Sequence, residues 1–514
     1  MAQTSPDQAA APSRLRRVLV WAVVCSALVA YVAVFRQTYI DDAYITLQYA
    51  RTLATDLTWG FYPGYPANTA TSPLNVVVLA LAGLPFAQTV DAVLWVTAAE
   101  LALTLLVLLK ISRRVTGGPH FGVIAFAGIA ANPLLVSTIG LESHLYILLM
   151  LVAVECYLGG RRTALGVTLG LLMLARPDGL LFLAVMLVLT ARRGAGRVLL
   201  AFLLTVLPWA LFSWVWLGSL VPDTLLIKLG QRWAEATFVT GIGAYVATYP
   251  VATMGTLLFV PFAPLAAWAL RGAGPAAGAA EEGLDAVDAS GPRARLAVGG
   301  LVAYALLHFA VYAALDVPPY HWYYTHQVVP AILCGALGMV WLGRRLGASR
   351  PTYAPAALPV IALVAALLQT GLHEAPVHTN WASPREYRAV GEEVRDLVEP
   401  SAVVDLHGEI GTVAYYSERL VVDSFADPNR VNTGIGQFTD RLPPALSWLS
   451  TLNFAWRTDG EPFAAPSYAL LALTRPDPDA AAELGPPAAA WNVSSHWAPH
   501  TRIFLYRYSW IDMR

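Results

Sequence analysis

Asp41 and Asp42 stand side by side directly after the first long apolar run of the chain. A carboxylate near neutral pH is a general base, and two together also suit a hard cation such as Mg²⁺ or Ca²⁺. The residues alone leave both roles open. Further acids and bases follow: Glu142 in Gly140-Leu141-Glu142-Ser143-His144, Arg176 and Asp178 in Ala175-Arg176-Pro177-Asp178-Gly179, and Asp223 a few residues before Lys228. An aromatic stretch around Tyr320, Trp322, Tyr323 and Tyr324 carries His321 and His326. Guanidinium, ammonium and imidazole groups hold phosphates through charge-assisted hydrogen bonds. Asn68 lies in an Asn/Thr-rich stretch after Phe61, Tyr62 and Tyr65, a composition that, beside the acidic pair, looks like a substrate site. Each feature also has a plainer reading. An acid can cap a helix, Arg176 and Asp178 can form an internal ion pair, and the aromatics can form a membrane-interface belt. A cap needs one carboxylate, however, and the first site has two.

The elements that position these residues follow from composition. The chain has 514 residues, of which 57% are hydrophobic and 13% charged, with a mean hydropathy of +0.54. Soluble proteins carry about 25% charged residues. A soluble multidomain enzyme and a disordered chain are therefore excluded. A net charge of −1 gives no field that would attract nucleic acid. What remains is an α-helical polytopic membrane protein. Cys25, Cys156 and Cys334 lie far apart in apolar runs and read as small buried hydrophobes, without disulfide or metal spacing.

Eleven apolar runs approach spanning length: 18–35, 91–109, 121–139, 143–159, 163–175, 179–191, 198–217, 240–270, 297–315, 327–343 and 356–371. The stretch 73–84 is too short to cross and reads as an interfacial helix. Cationic residues orient the set. With the N-terminus in the cytoplasm, the inner connections hold 17 basic residues and the outer ones five: Arg36, Arg51, Arg176, Lys228 and Arg232. This is the positive-inside pattern. Asp41, Asp42, Glu142, Arg176, Asp178, Asp223, Lys228 and His321 then all face the outer side. The runs on either side of Arg176-Pro177-Asp178 are each too short for a ~30 Å core, so this turn must line a cavity below the outer surface.

The first loop, 36–72, begins with the acidic pair. Ile45, Tyr49 and Leu53 follow at helical spacing, as in a helix lying along the membrane surface. Residues 272–296 read as a flexible inner linker. From about residue 372 the composition becomes more charged. A helical pattern over Ser383–Val398 precedes strand-like runs at 402–406, 419–423, 468–473 and 503–508, and the segment 405–411, which contains Glu409, joins a strand to a helix. The expected organisation is a transmembrane module over 1–371 and a small extracytoplasmic α/β domain over 372–514.

The first loop resembles that of the GT-C fold glycosyltransferases, polytopic membrane enzymes that use sugars carried on polyprenyl phosphate. Within that superfamily it is most similar to actinobacterial terminal arabinofuranosyltransferases. The resemblance rests on Asp41-Asp42, the helix over 44–53, the Tyr62-Pro63-Gly64 turn and Asn68-Thr69-Ala70-Thr71-Ser72. It continues in Gly140-Leu141-Glu142, Arg176-Pro177-Asp178-Gly179, Pro222-Asp223-Thr224 with Lys228, and the segments 408–417 and 421–423.

The resemblance implies inverting transfer of a sugar, arabinofuranose in its nearest members, from a polyprenyl-phosphate donor to a cell-envelope glycan. The enzyme would lie in the plasma membrane and work on its outer face. An acid of the first loop, Asp41 or Asp42, would be the catalytic base or a ligand of Mg²⁺ or Ca²⁺. Arg176, Lys228 and His321 would hold the donor phosphate. Glu142, Asp178, Asp223 and Asn68 would orient the substrates. A lipid or glycolipid flippase is the competing reading, because split helices also occur in transporters. Ionisable residues confined to one side, with an outer domain attached, favour the enzyme.

Overall fold

A computed structural model describes residues 14–231, 233, 236–271, 290–346, 353–423, 427–457, 463–473 and 486–508. Among them, six helices are long and apolar enough to cross a membrane: Arg14–Val34, Val90–Thr116, Ala195–Trp216, Pro250–Ala269, Gly291–Leu315 and His321–Arg345. The other five expected runs form shorter apolar helices, as does Pro73–Gly83. Eleven apolar runs are therefore not eleven full-length spans.

Proline explains two of the differences. The 121–139 run breaks at Asn132-Pro133, where Asn132 Oδ1 caps the next turn by accepting the N–H of Leu134 at 3.1 Å. The 240–270 run, whose Pro250–Ala269 part is one of the six spans, is not one continuous α-helix. It divides into Gly241–Thr248, Pro250–Thr256, a 3-10 segment Val260–Leu265 and Ala266–Arg271. Pro250, Pro261 and Pro264 each lack an N–H for a continuous ladder. The expected inner linker falls largely on 272–289, outside the described residues.

The helix Arg162–Ala175 packs closely on Ala195–Trp216, and two glycines make this possible. A Cβ at Gly166 would lie 2.3 Å from the Val198 carbonyl oxygen, and one at Gly170 would lie 2.7 Å from Thr205 Cβ. This small-x-x-x-small spacing lets two backbones approach. The chain then reverses at Arg176-Pro177-Asp178-Gly179, with the Gly179 N–H donating to the Arg176 carbonyl at 3.0 Å. The flanking helices have 14 and 12 residues, about 21 and 18 Å long. The turn therefore stops at cavity depth, as its sequence implies.

Residues 403–507 contribute a five-stranded sheet: β1 (Val403–His407), β2 (Leu420–Val422), β3 (Tyr468–Leu473), β4 (Ala489–Val493) and β5 (Thr501–Arg507), in the order β2-β1-β3-β5-β4. β1 runs parallel to β2 and β3, while β5 runs antiparallel to β3 and β4. Four of these strands match the β-rich runs of the sequence. The fifth, β4, has the mixed pattern Ala-Ala-Trp-Asn-Val and gave no signal. The helix Pro384–Leu397 forms as its pattern predicts. Ser383 accepts the Glu386 N–H while the Glu386 carboxylate accepts the Ser383 N–H, a complete capping box.

The glycine contact gives a stability test. Gly166→Leu should overpack the helix pair at a cost of about 1–3 kcal/mol, seen as a lower thermal-aggregation temperature in detergent. Gly196→Leu, where a Cβ has nothing within 4 Å, should leave that temperature unchanged.

Candidate active site

The acidic pair sits at the start of the Asp41–Asp56 helix, and its two carboxylates go separate ways. Asp41 reaches the N-terminus of a second helix, Gly411–Ser417. Its Oδ2 accepts the Gly411 N–H at 2.8 Å and its Oδ1 accepts the Thr412 N–H at 2.7 Å. Gly411 is required there, since a Cβ would lie 2.1 Å from the Asp41 carbonyl oxygen. Asp41 is only 4% exposed. Burial pushes its carboxyl up to about 6, against the opposing pull of the Thr412 and Gly411 N–H groups. Such a carboxylate is ionised at neutral pH yet basic enough to accept a proton.

Asp42 faces Lys228 instead, with Oδ1 3.4 Å from Nζ. Lys228 projects from the Asp223–Gly230 helix. Its Nζ lies 4.8 Å from the centre of the Tyr320 ring and 5.5 Å from that of Trp322. Asp223 and Asn68 secure this helix. The Asp223 N–H donates to the Asn68 carbonyl at 2.8 Å, and the Asp223 carboxylate takes Arg457 Nη1 at 2.9 Å. Asn68 Nδ2 donates to Ser213 Oγ and to the Ser219 carbonyl, each at 2.9 Å.

On the opposite wall Arg176 lies between two acids. Its Nη1 is 2.5 Å from Glu142 Oε1 and its Nε is 2.8 Å from Asp178 Oδ2. Tyr312 donates to Asp178 Oδ1. All three charged side chains are buried. Glu409 completes the polar wall. Its Oε1 accepts from Asn380 Nδ2 at 2.7 Å and its Oε2 from the Trp381 N–H at 3.2 Å. Burial, reinforced by the charge of Asp41, pushes the Glu409 carboxyl up to about 8. Asn380 links the two acids, because its Oδ1 also accepts the Asp41 N–H at 3.4 Å.

One cavity is lined by Asp41, Asp42, Glu142, Arg176, Asp178 and Lys228, together with Tyr320, Trp322, Asn380, Glu409 and Asp423. Six of the nine site residues expected from sequence thus meet on its wall. Asp223 and Asn68 stand behind it, where they brace the Lys228 helix. His321 is fully buried outside the lining, against the rings of Trp322 and Tyr245. Asn380 carries no motif and is legible only in three dimensions. His308 lies in an apolar run, and an ionisable residue there is itself a signal.

Among the described residues a further candidate place for an ion lies away from the acidic pair. Asp41 is engaged by two N–H groups and Asp42 by Lys228. Asp178, His308 and His326 instead bring three possible ligand atoms within 4.8 Å of one another. His326 Nε2 is 3.2 Å from Asp178 Oδ2. Gln327 Nε2 donates to the Ala305 carbonyl and contacts His308 Nδ1 at 3.0 Å. An amide nitrogen can only donate, so the His308 proton sits on Nε2. In this arrangement His308 Nε2 lies 4.0 Å from Asp178 Oδ2, beyond hydrogen-bonding distance, and metal ligation through Nε2 would require Gln327 to release Nδ1.

No described protein family matches the chain, and no curated protein matches its sequence. Solved structures do match. ArnT from Cupriavidus metallidurans, crystallised with undecaprenyl phosphate, superposes with a TM-score of 0.57 at 14% identity, over 96% of this chain and 98% of that one. The Archaeoglobus fulgidus oligosaccharyltransferase, in complex with Zn and sulfate, gives 0.51 at 12% identity, over 87% of this chain and 67% of that one. A mycobacterial arabinofuranosyltransferase, AftD, reaches 0.46 at 16% identity, over 90% of this chain and 35% of that one, too low to bear on the sugar. The chain shares its fold with ArnT, and six helices among its described residues are long and apolar enough to cross a membrane.

The two carboxylates can be told apart experimentally. Asp41→Ala leaves the Gly411 and Thr412 N–H groups without their acceptor, so the 408–417 segment should exchange hydrogen for deuterium faster. Asp42→Ala should leave that segment's exchange unchanged.

Proposed function

We propose that this protein is a glycosyltransferase that moves a sugar from a polyprenyl-phosphate donor to a hydroxyl of a cell-envelope glycan, with inversion, at the outer face of the plasma membrane. The observation that carries the reading is the convergence of Asp41, Asp42, Glu142, Arg176, Asp178 and Lys228 on one cavity from four separate stretches of chain. The fold shared with ArnT, whose structure holds undecaprenyl phosphate, supports the donor class. Arabinofuranose is the sugar suggested by the first-loop resemblance.

Asp41 is the general base in this reading. The acceptor oxygen attacks the anomeric carbon from the face opposite the phosphate. The bond from that carbon to the phosphate oxygen breaks, and its electron pair leaves with the lipid phosphate. The acceptor's hydroxyl proton passes to the Asp41 carboxylate. Lys228 takes up the charge growing on the phosphate. It suits that role because its contact with Asp42 is long, at 3.4 Å, and its side chain is 19% exposed. Arg176 already has two carboxylate partners, so it supports the phosphate less directly and fixes Glu142 and Asp178 beside the sugar. Tyr320 and Trp322 offer a flat wall against which a sugar ring can lie.

The experiment is a panel of polyprenyl-phosphate sugars offered to purified protein in proteoliposomes, scored for released polyprenyl phosphate. At least one should be consumed. Asp41→Asn should lower its turnover by about 10²–10⁴-fold, the contribution of a positioned base, with elution retained; its amide keeps only one acceptor for the Gly411 and Thr412 N–H groups, so thermal stability should fall slightly. Wild-type turnover in Asp41→Asn would falsify the assignment of the base. Lys228→Ala should raise KM for the donor far more than Asn68→Ala does.

The rate should also depend on pH in a defined direction. Asp41 must be ionised, so kcat/KM should rise as pH increases through about 6. Glu409 is neutral below about 8, and its ionisation above that value adds a second negative charge beside Asp41. The alkaline limb should therefore fall near 8 and disappear in Glu409→Gln, while the acid limb remains. Persistence of the alkaline limb in that variant would separate it from Glu409.

A further inference from the structure

The helix Pro444–Asn453 presents Trp448, Leu449 and Leu452 away from the protein. Trp448 is 58% exposed, Leu449 46% and Leu452 48%, and Trp456 just beyond the helix is 56% exposed. Ser450, by contrast, is buried and its hydroxyl pairs with Thr439 Oγ1 at 2.7 Å. Trp448, Leu449 and Leu452 fall on one side of the helix, within about 100° of one another at 3.6 residues per turn. A surface helix in water turns its apolar stripe inward and its hydroxyls outward. Here the apolar stripe of Trp448, Leu449 and Leu452 faces outward instead.

The position of this helix identifies its surroundings. It is fixed to the cavity end of the Ala195–Trp216 helix, one of those long and apolar enough to cross a membrane. Trp214 Nε1 donates to the Leu452 carbonyl at 3.0 Å. Asn453 Oδ1 accepts the N–H groups of Leu220 and Val221 at 3.0 and 2.8 Å. The end of the membrane helix is itself apolar and exposed, with Val215 at 53% and Trp216 at 72%. The two exposed surfaces are therefore continuous. Ten residues of helix measure about 15 Å, which cannot cross a ~30 Å core but can lie along its edge. Tryptophan is enriched at that depth, where its ring is buried in lipid and its N–H stays near water.

We infer that the Pro444–Asn453 helix lies in the interfacial layer of the leaflet on the cavity side, with its Trp448, Leu449 and Leu452 face seated on lipid. Through this helix the sheet-bearing part of the chain has its own hold on the bilayer. The consequence reaches the cavity. The neighbouring helix Pro428–Arg441 rests on the Asp223–Gly230 helix, and Arg457, which follows the interfacial segment, binds the Asp223 carboxylate at 2.9 Å. The helix that carries Lys228 is thus held at a depth set by lipid contact. The inference depends on the membrane reading of the Ala195–Trp216 helix and not on the transfer reaction, so failure of either can be recognised separately.

The test places a nitroxide at Leu449→Cys or Leu452→Cys in a background with Cys25, Cys156 and Cys334 replaced by alanine. The protein is reconstituted in phosphatidylcholine–phosphatidylglycerol vesicles. Relaxation by oxygen, which concentrates in lipid, should exceed that of a label at Glu392→Cys several-fold. Relaxation by a water-soluble nickel chelate should be several-fold lower than at that position. Equal nickel accessibility at the two sites would overturn the inference. So would shielding from both agents accompanied by spin–spin broadening, which would mark the face as a contact between two copies of the chain. A second measurement needs no cysteine replacement. Trp448→Phe with Trp456→Phe should reduce the share of intrinsic fluorescence quenched by brominated lipid, and an unchanged share would contradict the lipid seat.

Discussion

The whole site depends on the Asp41 carboxylate held by the N–H groups of Gly411 and Thr412. That contact joins residues 370 and 371 positions apart in the chain. It fixes the start of the first-loop helix against the sheet-bearing part of the protein and closes the cavity on one side. Local structure supports it from both directions. Gly411 lets the backbone of Asp41 approach, and Asn380 ties the Asp41 N–H to the Glu409 carboxylate. A carboxylate held in this way is oriented before any substrate arrives, and its burial raises its basicity.

Charge is arranged economically around that anchor. The acids of the cavity wall outnumber its bases. Arg176 is held between Glu142 and Asp178, so its charge is balanced within the protein. Lys228 keeps a long contact with Asp42 and sits above two aromatic rings. An incoming anion can therefore compete for Lys228 without stranding a buried partner, whereas drawing Arg176 away would leave two buried carboxylates unpaired. Under the proposed reaction, this difference, more than the presence of either cation, favours Lys228 as the one that meets the phosphate.

Much of this was legible in the sequence, and the rest was not for identifiable reasons. Composition and the placement of arginine gave the helical membrane class, and the broken run at Arg176-Pro177-Asp178 gave a turn at cavity depth. The acidic pair, Glu142, Arg176, Asp178 and Lys228 were recognisable because charge beside apolar helices is costly unless it has partners. Asp223, Asn68 and His321 carry the same signals but serve as braces or packing, since residue type does not reveal which way a side chain turns. Asn380 and the Asp178, His308 and His326 group arise only from long-range packing. Helix lengths were overread for the related reason that an apolar run containing Asn132-Pro133 or Pro250 remains apolar where its backbone ladder ends.

The most direct test of the account is the structure of the protein in a lipid nanodisc with polyprenyl phosphate added, determined by electron cryomicroscopy. The phosphate should lie within hydrogen-bonding distance of Lys228 Nζ, in the cavity that contains Asp41, with its lipid tail leaving toward the membrane. Phosphate bound elsewhere, with the cavity sealed from the lipid phase, would contradict it.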